Sequence, residues 1–200
     1  SVVTISNEAF SGCKNLTSID LPINLEAITA NAFLDSSLNT IVFDSSCNLN
    51  SIPSNFGTGL LDLSSVILAS DGSLNTIDTD AFKLSDSIST DNYTQELSDV
   101  SGFSINIPKS VSTFGEGAFR LSQVTSVEFD PSSTLTEIPN QSFSASKLSN
   151  INIPSSVVTI GDYAFNGSNL SSLAFEGNSN LNNIGKHCFS DSSLNSIDLP

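Results

Sequence analysis

Few residues in this chain have the types and spacing that catalysis requires. His187, the only histidine, directly precedes Cys188, and a histidine base next to a thiol is the arrangement that activates a cysteine nucleophile. That chemistry needs the two side chains to converge in space, which adjacency in sequence does not provide. A repeat in the chain aligns Cys188 with alanines and His187 with Tyr163. We therefore predict a structural pair, with the thiol pointing inward and the imidazole near the surface.

The sequence gives hardly more support for metal or phosphate chemistry than for cysteine catalysis. The sequence contains no Gly-x-Ser-x-Gly, P-loop or His-Glu-x-x-His motif, and no two of its three cysteines have zinc-ligand spacing. Asp78 and Asp80, near Asp71, are candidate calcium ligands, but neither an EF-hand nor a nonapeptide calcium loop surrounds them. The sequence predicts a protein without catalytic residues, metal or other cofactor.

The charge balance excludes two classes of partner. Six lysines and arginines stand against 21 aspartates and glutamates, so the formal net charge is −15. A field of that sign repels the phosphates of nucleic acids and the headgroups of anionic lipids. No run of 18 apolar residues is present to insert into a bilayer. Neither nucleic acid nor a membrane is therefore an expected partner. The hydrophobic fraction of 38% is enough for the chain to bury a core.

An internal repeat determines the elements that position these residues. The string Ile-x-x-x-Ala-Phe ends at Phe10, Phe33, Phe82 and Phe165. Degenerate copies end at Phe56, Phe119, Phe143 and Phe189. Neighbouring copies lie 22 to 26 residues apart, except for a step of 37 residues between Phe82 and Phe119. A fixed period of this length is the signature of a solenoid.

A second pattern, Leu-x-x-Ile-x-Leu, follows the phenylalanines and predicts a short β-strand in each repeat. Residues two apart on a strand share a face, so Ile19 and Leu21 point inward while Ser18 and Asp20 point outward. Each strand is too short to fold alone, but eight parallel strands bury a continuous apolar column. The repeat predicts a curved, β-dominated solenoid of about eight turns, with one parallel sheet on its concave face.

The most complete copy runs from Leu148 to Phe165 and reads Leu-x-x-Ile-x-Ile-Pro-x-Ser-Val-x-x-Ile-Gly-x-x-Ala-Phe. It closely resembles the BspA-like (treponemal) class of leucine-rich repeats, and the resemblance covers essentially all 200 residues. It implies an α/β-type leucine-rich-repeat fold and a location at the cell surface or outside the cell. Proteins of this class are linked to adhesion to host cells, extracellular matrix or other microbes. The family often has a cysteine three residues after the phenylalanine, and only Cys13 keeps it here.

The whole chain, residues 1–200, is expected to be a single repeat array. Its first residues match those from Ser156 to Ile160, and Pro200 ends a strand in mid-repeat. We therefore expect the chain to be a fragment of a longer array. Open solenoid ends expose unpaired strand edges, so self-association through them is expected.

The outward side chains of the concave sheet are the first candidate binding surface, because they form flat parallel rows. One row consists of Asp20, Val42, Ile67, Asn106, Glu128, Asn152, Ala174 and Asp198. All of these except Ala174 are candidate ligand-binding residues, for a host or matrix protein or a glycan. Val42 and Ile67 form a small apolar patch in this row. The alternative is a merely solvated sheet.

The long step adds an insertion at about residues 83–103, and long loops on rigid scaffolds often carry function. Tyr93 and Phe103 are its candidate contact residues. A tolerated insertion without function, or a degenerate repeat, explains the length equally well.

Asn-x-Ser/Thr sequons are a further class of candidate site. They begin at Asn15, Asn92, Asn140, Asn166 and Asn169. These asparagines are candidates for glycosylation if a eukaryote secretes the chain.

The family resemblance and the absence of catalytic motifs favour a non-enzymatic surface module that adheres to host cells or matrix. The binding surface would be the concave face, the 83–103 insertion, or both. The main alternative is a structural spacer of a surface protein with no ligand of its own, which needs no special surface.

Overall fold

The computed structural model describes residues 2–45, 47–85 and 102–200. These residues form fifteen β-strands, all of which pair in parallel, and no helix occurs among them. Longer strands alternate along the chain with strands of two residues. Each pair of strands with its connecting loops is one turn of a solenoid. The predicted leucine-rich-repeat solenoid is confirmed.

The longer strands form one seven-stranded sheet, which we call the concave sheet. Its members are β2 (Ser18–Asp20), β4 (Thr40–Phe43), β6 (Ser65–Leu68), β8 (Phe103–Ile107), β10 (Val124–Phe129), β12 (Asn150–Ile153) and β14 (Ser172–Phe175). Spatial order follows chain order, so each strand pairs with that of the next turn. The central residue of most strands is buried, as at Ile41, Ile105 and Ile151. These residues face the core as the period of two predicts.

The two-residue strands lie where each Ile-x-x-x-Ala-Phe string begins. They are β1 (Thr4–Ile5), β3 (Ala27–Ile28), β5 (Ser51–Ile52), β7 (Thr76–Ile77), β9 (Thr113–Phe114), β11 (Glu137–Ile138), β13 (Thr159–Ile160) and β15 (Asn183–Ile184). They pair into three small sheets, β1 with β3, β5–β7–β9 and β11–β13–β15. The second residue of each strand from β1 to β13 is buried. It adds a second apolar column to the core.

The repeated phenylalanines form a continuous ladder of ring contacts through the core, stacked in most pairs and edge-to-face on both sides of Phe56. The rings of Phe119, Phe143 and Phe165 lie within 9° of parallel, with centroids 5.2 and 5.4 Å apart. The ladder extends to Phe10 at one end and Phe189 at the other, and neighbouring centroids lie 5.1 to 6.0 Å apart. Stacked aromatic pairs contribute about 0.5–1.5 kcal/mol beyond the area that they bury. One ring per turn therefore binds every turn to the next.

The backbone around each phenylalanine bonds to the following turn. The Phe143 N–H donates to the Ala164 carbonyl at 2.7 Å, and the Phe165 N–H donates to the Cys188 carbonyl at 2.8 Å. In every copy except that of Asn55, the residue before the phenylalanine is alanine, serine or cysteine, which leaves room for this close approach. The residue two positions before it has a positive φ in seven turns, for example 57° at Gln141 and at Tyr163. These left-handed residues turn the convex loop without a helix.

The final predicted strand is absent, so the concave sheet has about seven turns instead of eight. Residues 194–199 do not pair with β14, and Ile197 and Leu199 are exposed. Inward side chains of a solenoid are covered by a turn on each side. Within this chain, Ile197 and Leu199 have the β14 turn on one side only. The prediction that Asp198 lies in the outward row of the sheet is therefore wrong.

Truncation of a central ring tests the ladder. Phe119 is fully buried between Phe82 and Phe143, so Phe119→Ala should lower the free energy of unfolding by about 3–5 kcal/mol. Urea denaturation followed by circular dichroism measures this loss. The matched control is Phe10→Ala, because Phe10 is half-buried at the end of the ladder. Equal losses in the two variants would contradict a ladder in which central rings carry more stability.

Candidate functional site

The structure places six of the seven candidate residues of the concave face in one row, together with Ala174. Asp20 pairs with Val42, Val42 with Ile67, Glu128 with Asn106 and Asn152 with Ala174. Neighbouring strands lie about 4.8 Å apart, so the side chains stand close together. All seven are exposed except Val42, which is half-buried. We call these seven residues the outward row.

The charge of this face has one sign. Asp20 and Glu128 are ionisable residues of the outward row, and no strand of the concave sheet contains a lysine or arginine. The six cationic residues lie in connecting segments and are Lys14, Lys83, Lys109, Arg120, Lys147 and Lys186. Together with the net charge of −15, this makes the face acidic. It presents carboxylate and amide groups to a partner, without a cation to attract an anionic ligand.

An apolar patch interrupts the polar row at its second and third strands. Ile67 is 50% exposed and pairs directly with Val42. Exposed apolar side chains that adjoin polar groups are typical of contact surfaces, although this patch is small. The sequence prediction that these two residues are neighbours is confirmed.

Hydroxyl groups connect the turns at the start of the strands, a feature that the sequence prediction missed. Ser149 Oγ donates to the Thr125 carbonyl at 3.3 Å, and Ser171 Oγ donates to the Ser149 carbonyl at 3.2 Å. Thr125 Oγ1 donates to the Phe103 carbonyl at 3.0 Å. The sequence signal that could have predicted these bonds is a serine or threonine near the start of the strand in several repeats. These hydroxyls stabilise the sheet edge, so they are not free for a ligand.

Phe103 is not a contact residue, which corrects the prediction for the insertion. Its side chain is only 3% exposed, and its ring packs on Phe82 with centroids 5.6 Å apart. Phe103 is the first residue of β8 and shares the inner face with Ile105 and Ile107. The period of two extends one step further toward the N-terminus than the sequence prediction placed it. Tyr93 and Asn92 lie outside the described residues.

The two sides of the insertion are joined on the convex surface. The Phe82 and Phe119 rings stack at 5.1 Å and 5° despite the 37-residue step. Arg120 donates to both carboxylate oxygens of Asp80, at 3.2 and 3.1 Å. Lys83 Nζ lies 3.9 Å from the same carboxylate. The insertion therefore leaves the ladder intact, and a two-pronged ion pair spans the turns on either side of it.

The His187–Cys188 pair is arranged as the repeat predicts. Cys188 is buried in the position that Ala164 occupies one turn earlier, while His187 is exposed. The His187 ring stacks on Tyr163 with centroids 5.1 Å apart, and its Nδ1 lies 3.2 Å from Ser190 Oγ. Burial raises the pKa of the Cys188 thiol to about 12. A nucleophilic cysteine needs the opposite shift, so this thiol is suited to packing.

The aspartates considered for calcium do not form a site in the structure. Among the residues it describes, no three of the His, Cys, Asp and Glu side chains are grouped to hold a metal ion. Asp80 pairs with Arg120 instead. Within the same residues, no helix has the length and apolarity to cross a membrane.

The sequons differ in how accessible their asparagines are. Asn15 and Asn169 are exposed. Asn140 is exposed, but its Oδ1 accepts a hydrogen bond from the Asp162 N–H at 2.8 Å. Asn166 is half-buried, and its Nδ2, the atom that would carry a glycan, donates to the Ser190 carbonyl at 3.0 Å. The first two are the more accessible acceptors, and their glycosylation stays a prediction.

Parallel strands, a phenylalanine in every turn and helix-free convex loops define a leucine-rich-repeat β-solenoid. The chain belongs to the family described as the BspA type leucine rich repeat region, whose model matches residues 1–104 and 98–200 with six copies. The resemblance seen in the sequence is confirmed. The family match identifies a repeat module and does not identify a ligand.

Solved structures share this fold. A leucine-rich repeat protein from Bacteroides ovatus is 26% identical, with a TM-score of 0.77. The pneumococcal vaccine antigen PcpA is 24% identical, with a TM-score of 0.62. All of this chain is covered in both comparisons, but only 47% and 49% of those chains. The chain therefore spans about half the length of these relatives. None of the curated proteins matches it significantly.

The raised pKa of Cys188 predicts a specific loss of stability in alkali. The folded protein holds the thiol proton more tightly than the unfolded chain, in which the pKa is 9.0. The contribution of this group to stability is complete below about pH 9 and is lost as the pH rises toward about 12. Urea midpoints measured from about pH 8 to 10.5 should therefore fall more steeply for the wild type than for Cys188→Ala.

Alanine is the natural control residue, because it fills this position in other turns, for example at Ala164. Equal slopes in the wild type and Cys188→Ala would show that the thiol does not carry the effect.

Proposed function

We propose that this chain is a non-enzymatic, surface-exposed interaction module that adheres to a host or matrix macromolecule through its concave sheet. The outward row is the observation that carries the proposal. It is a flat, ordered surface whose polar, acidic and apolar groups are fixed at strand spacing. Such extended surfaces are how solenoid repeats bind macromolecules.

The location at the cell surface or outside the cell is supported by the family and by a structural relative. The chain belongs to the BspA-type repeats, whose members are typically surface or secreted proteins. A solved relative is named a pneumococcal vaccine antigen. That chain is about twice as long as the part that matches, so its activity is a property of that longer protein. The likeness supports an exposed location and not a particular partner.

A spacer without its own ligand is the second candidate, and the phenylalanine ladder favours it. Rings from Phe10 to Phe189 contact one another without a break, stacked in five pairs and edge-to-face where Phe56 meets Phe33 and Phe82. A continuous core of this kind makes a stiff rod that would hold another domain away from a cell. A spacer has no need for an organised outward row, so substitutions in that row separate the two candidates.

Binding of the purified chain to immobilised matrix proteins, to mucin and to epithelial cells tests the proposal. The test variant combines Asp20→Asn, Ile67→Ser and Glu128→Gln, all exposed positions of the concave sheet. We expect saturable binding by the wild type at physiological salt and a loss of at least about tenfold in the variant. Ten-fold corresponds to about 1.4 kcal/mol, a modest total for three central contacts.

The matched control carries Glu137→Gln and Asp191→Asn, exposed carboxylates outside the concave sheet, and should bind as the wild type does. A second variant lacks residues 86–99, and we expect unchanged thermal stability. Binding lost with the deletion but kept in the row variant would move the site to the insertion. No saturable binding to any of these surfaces would favour the spacer.

A further inference from the structure

Five of the six junctions between strands of the concave sheet are of two kinds, and the β2–β4 junction, where pairing ends at Asp20 with Val42, belongs to neither. At β4–β6, β8–β10 and β12–β14 the pairing runs to the last strand residue, as in Phe43 with Leu68 and Phe129 with Ile107. At β6–β8 the pairing stops at Val66 with Ile105, and at β10–β12 it stops at Val127 with Ile151. The second kind of junction is open at its carboxyl end.

Proline explains the open junctions. At a closed junction, the residue after the second strand donates its N–H back to the first: Asp130 to the Ile107 carbonyl at 2.9 Å and Glu176 to the Ile153 carbonyl at 3.0 Å. At the open junctions this residue is Pro108 or Pro154. Proline has no N–H to donate. The Leu68 carbonyl, at the position equivalent to Ile107, receives no such bond from Pro108.

A cleft of about 270 Å³ lies at the open β6–β8 junction. Its walls include Leu68, Pro108 and Phe129, and the outward-row residues Asn106 and Glu128 also line it. The cleft therefore combines apolar walls with a carboxylate and an amide, at the point where the pairing of β6 with β8 has ended.

The charged groups of the cleft are carboxylates, which only accept, and its other polar side chains can accept as well. Glu128 supplies a carboxylate, Asn106 an amide oxygen and Ser70 a hydroxyl oxygen. Asp130 also lines the cleft, and its Oδ1 already accepts from the Ser132 N–H at 2.7 Å. No lysine or arginine lines it. Apolar walls with an anionic rim match a side chain that has an aliphatic stem and a cationic head.

We infer that this cleft receives an arginine or lysine side chain from a basic segment of a protein partner. The inference rests on the proposed function and defines its partner class as a cationic protein segment, not a sulfated or neutral glycan. The stem of the side chain packs on Leu68 and Pro108, and its head reaches Glu128. The apolar patch adjoins the cleft, with Ile67 on β6 next to Leu68 and Val42 on the neighbouring strand β4, and it contacts neighbouring apolar side chains of the partner.

The direct test is a titration of the ¹⁵N-labelled chain with N-acetyl-arginine amide, followed by amide chemical shifts at constant ionic strength. Saturable shifts are expected at Ser70, Asn106 and Glu128. N-acetyl-citrulline amide has the same shape without the charge and should produce none. Glu128→Gln should weaken arginine binding about threefold or more. The control Glu137→Gln, an exposed carboxylate on β11, should leave it unchanged.

Three results would overturn the inference: equal shifts with citrulline, arginine shifts spread over carboxylates of the whole chain, or shifts at the same amides with a sulfated oligosaccharide. The outcome is separable from that of the proposed function. If the chain binds matrix or cells and Glu128→Gln does not weaken that binding, the module adheres but the cleft is not its site. If arginine binds in the cleft but the chain binds neither matrix proteins, mucin nor cells, the inference about the cleft is supported and the adhesive function is contradicted.

Discussion

Ring contact between one phenylalanine in each turn and that of the next is the interaction on which the rest of this structure depends. The described convex loops contain no helix to set the distance between turns. That distance is fixed instead by rings 5.1 to 6.0 Å apart and by the backbone bonds beside them, such as Phe143 N–H to the Ala164 carbonyl. It is only slightly larger than the spacing of about 4.8 Å between paired strands, so the ladder and the concave sheet support each other. The spacing of the outward row follows from the same constraint.

The same constraint explains how the chain accommodates its long insertion. The step of 37 residues between Phe82 and Phe119 does not separate the two rings, which stack at 5.1 Å. Arg120 and Asp80 then close the convex side across the same junction. In a solenoid each turn contacts only its neighbours. An insertion is tolerated wherever the ring and the strand of the next turn can still reach their positions.

Much of the fold could be predicted because inward positions repeat, and each inward residue fixes its outward neighbours. Ile41 and Phe43 place Val42 outside, and Ile151 and Ile153 place Asn152 outside. Phe103 was assigned wrongly because the insertion hid where β8 begins. Asp198 was assigned wrongly because a pattern of apolar residues does not show whether a strand has a partner to pair with. The Asp80–Arg120 contact depends on left-handed convex loops, which the pattern does not reveal.

The outward positions are where function can differ between members of one fold, because the ladder does not constrain them. Exchanging Glu128 for another polar residue would leave Val127 and the rings behind it in place. The absence of lysine and arginine from every strand of the concave sheet is therefore not a requirement of folding. The prolines change the sheet without changing the core, since Pro108 removes one hydrogen bond of the sheet and leaves the core intact. Because the core fixes the backbone, a proline can end the pairing between two strands early without disturbing the fold. A charged side chain such as that of Glu128 can then lie beside the point where the pairing ends.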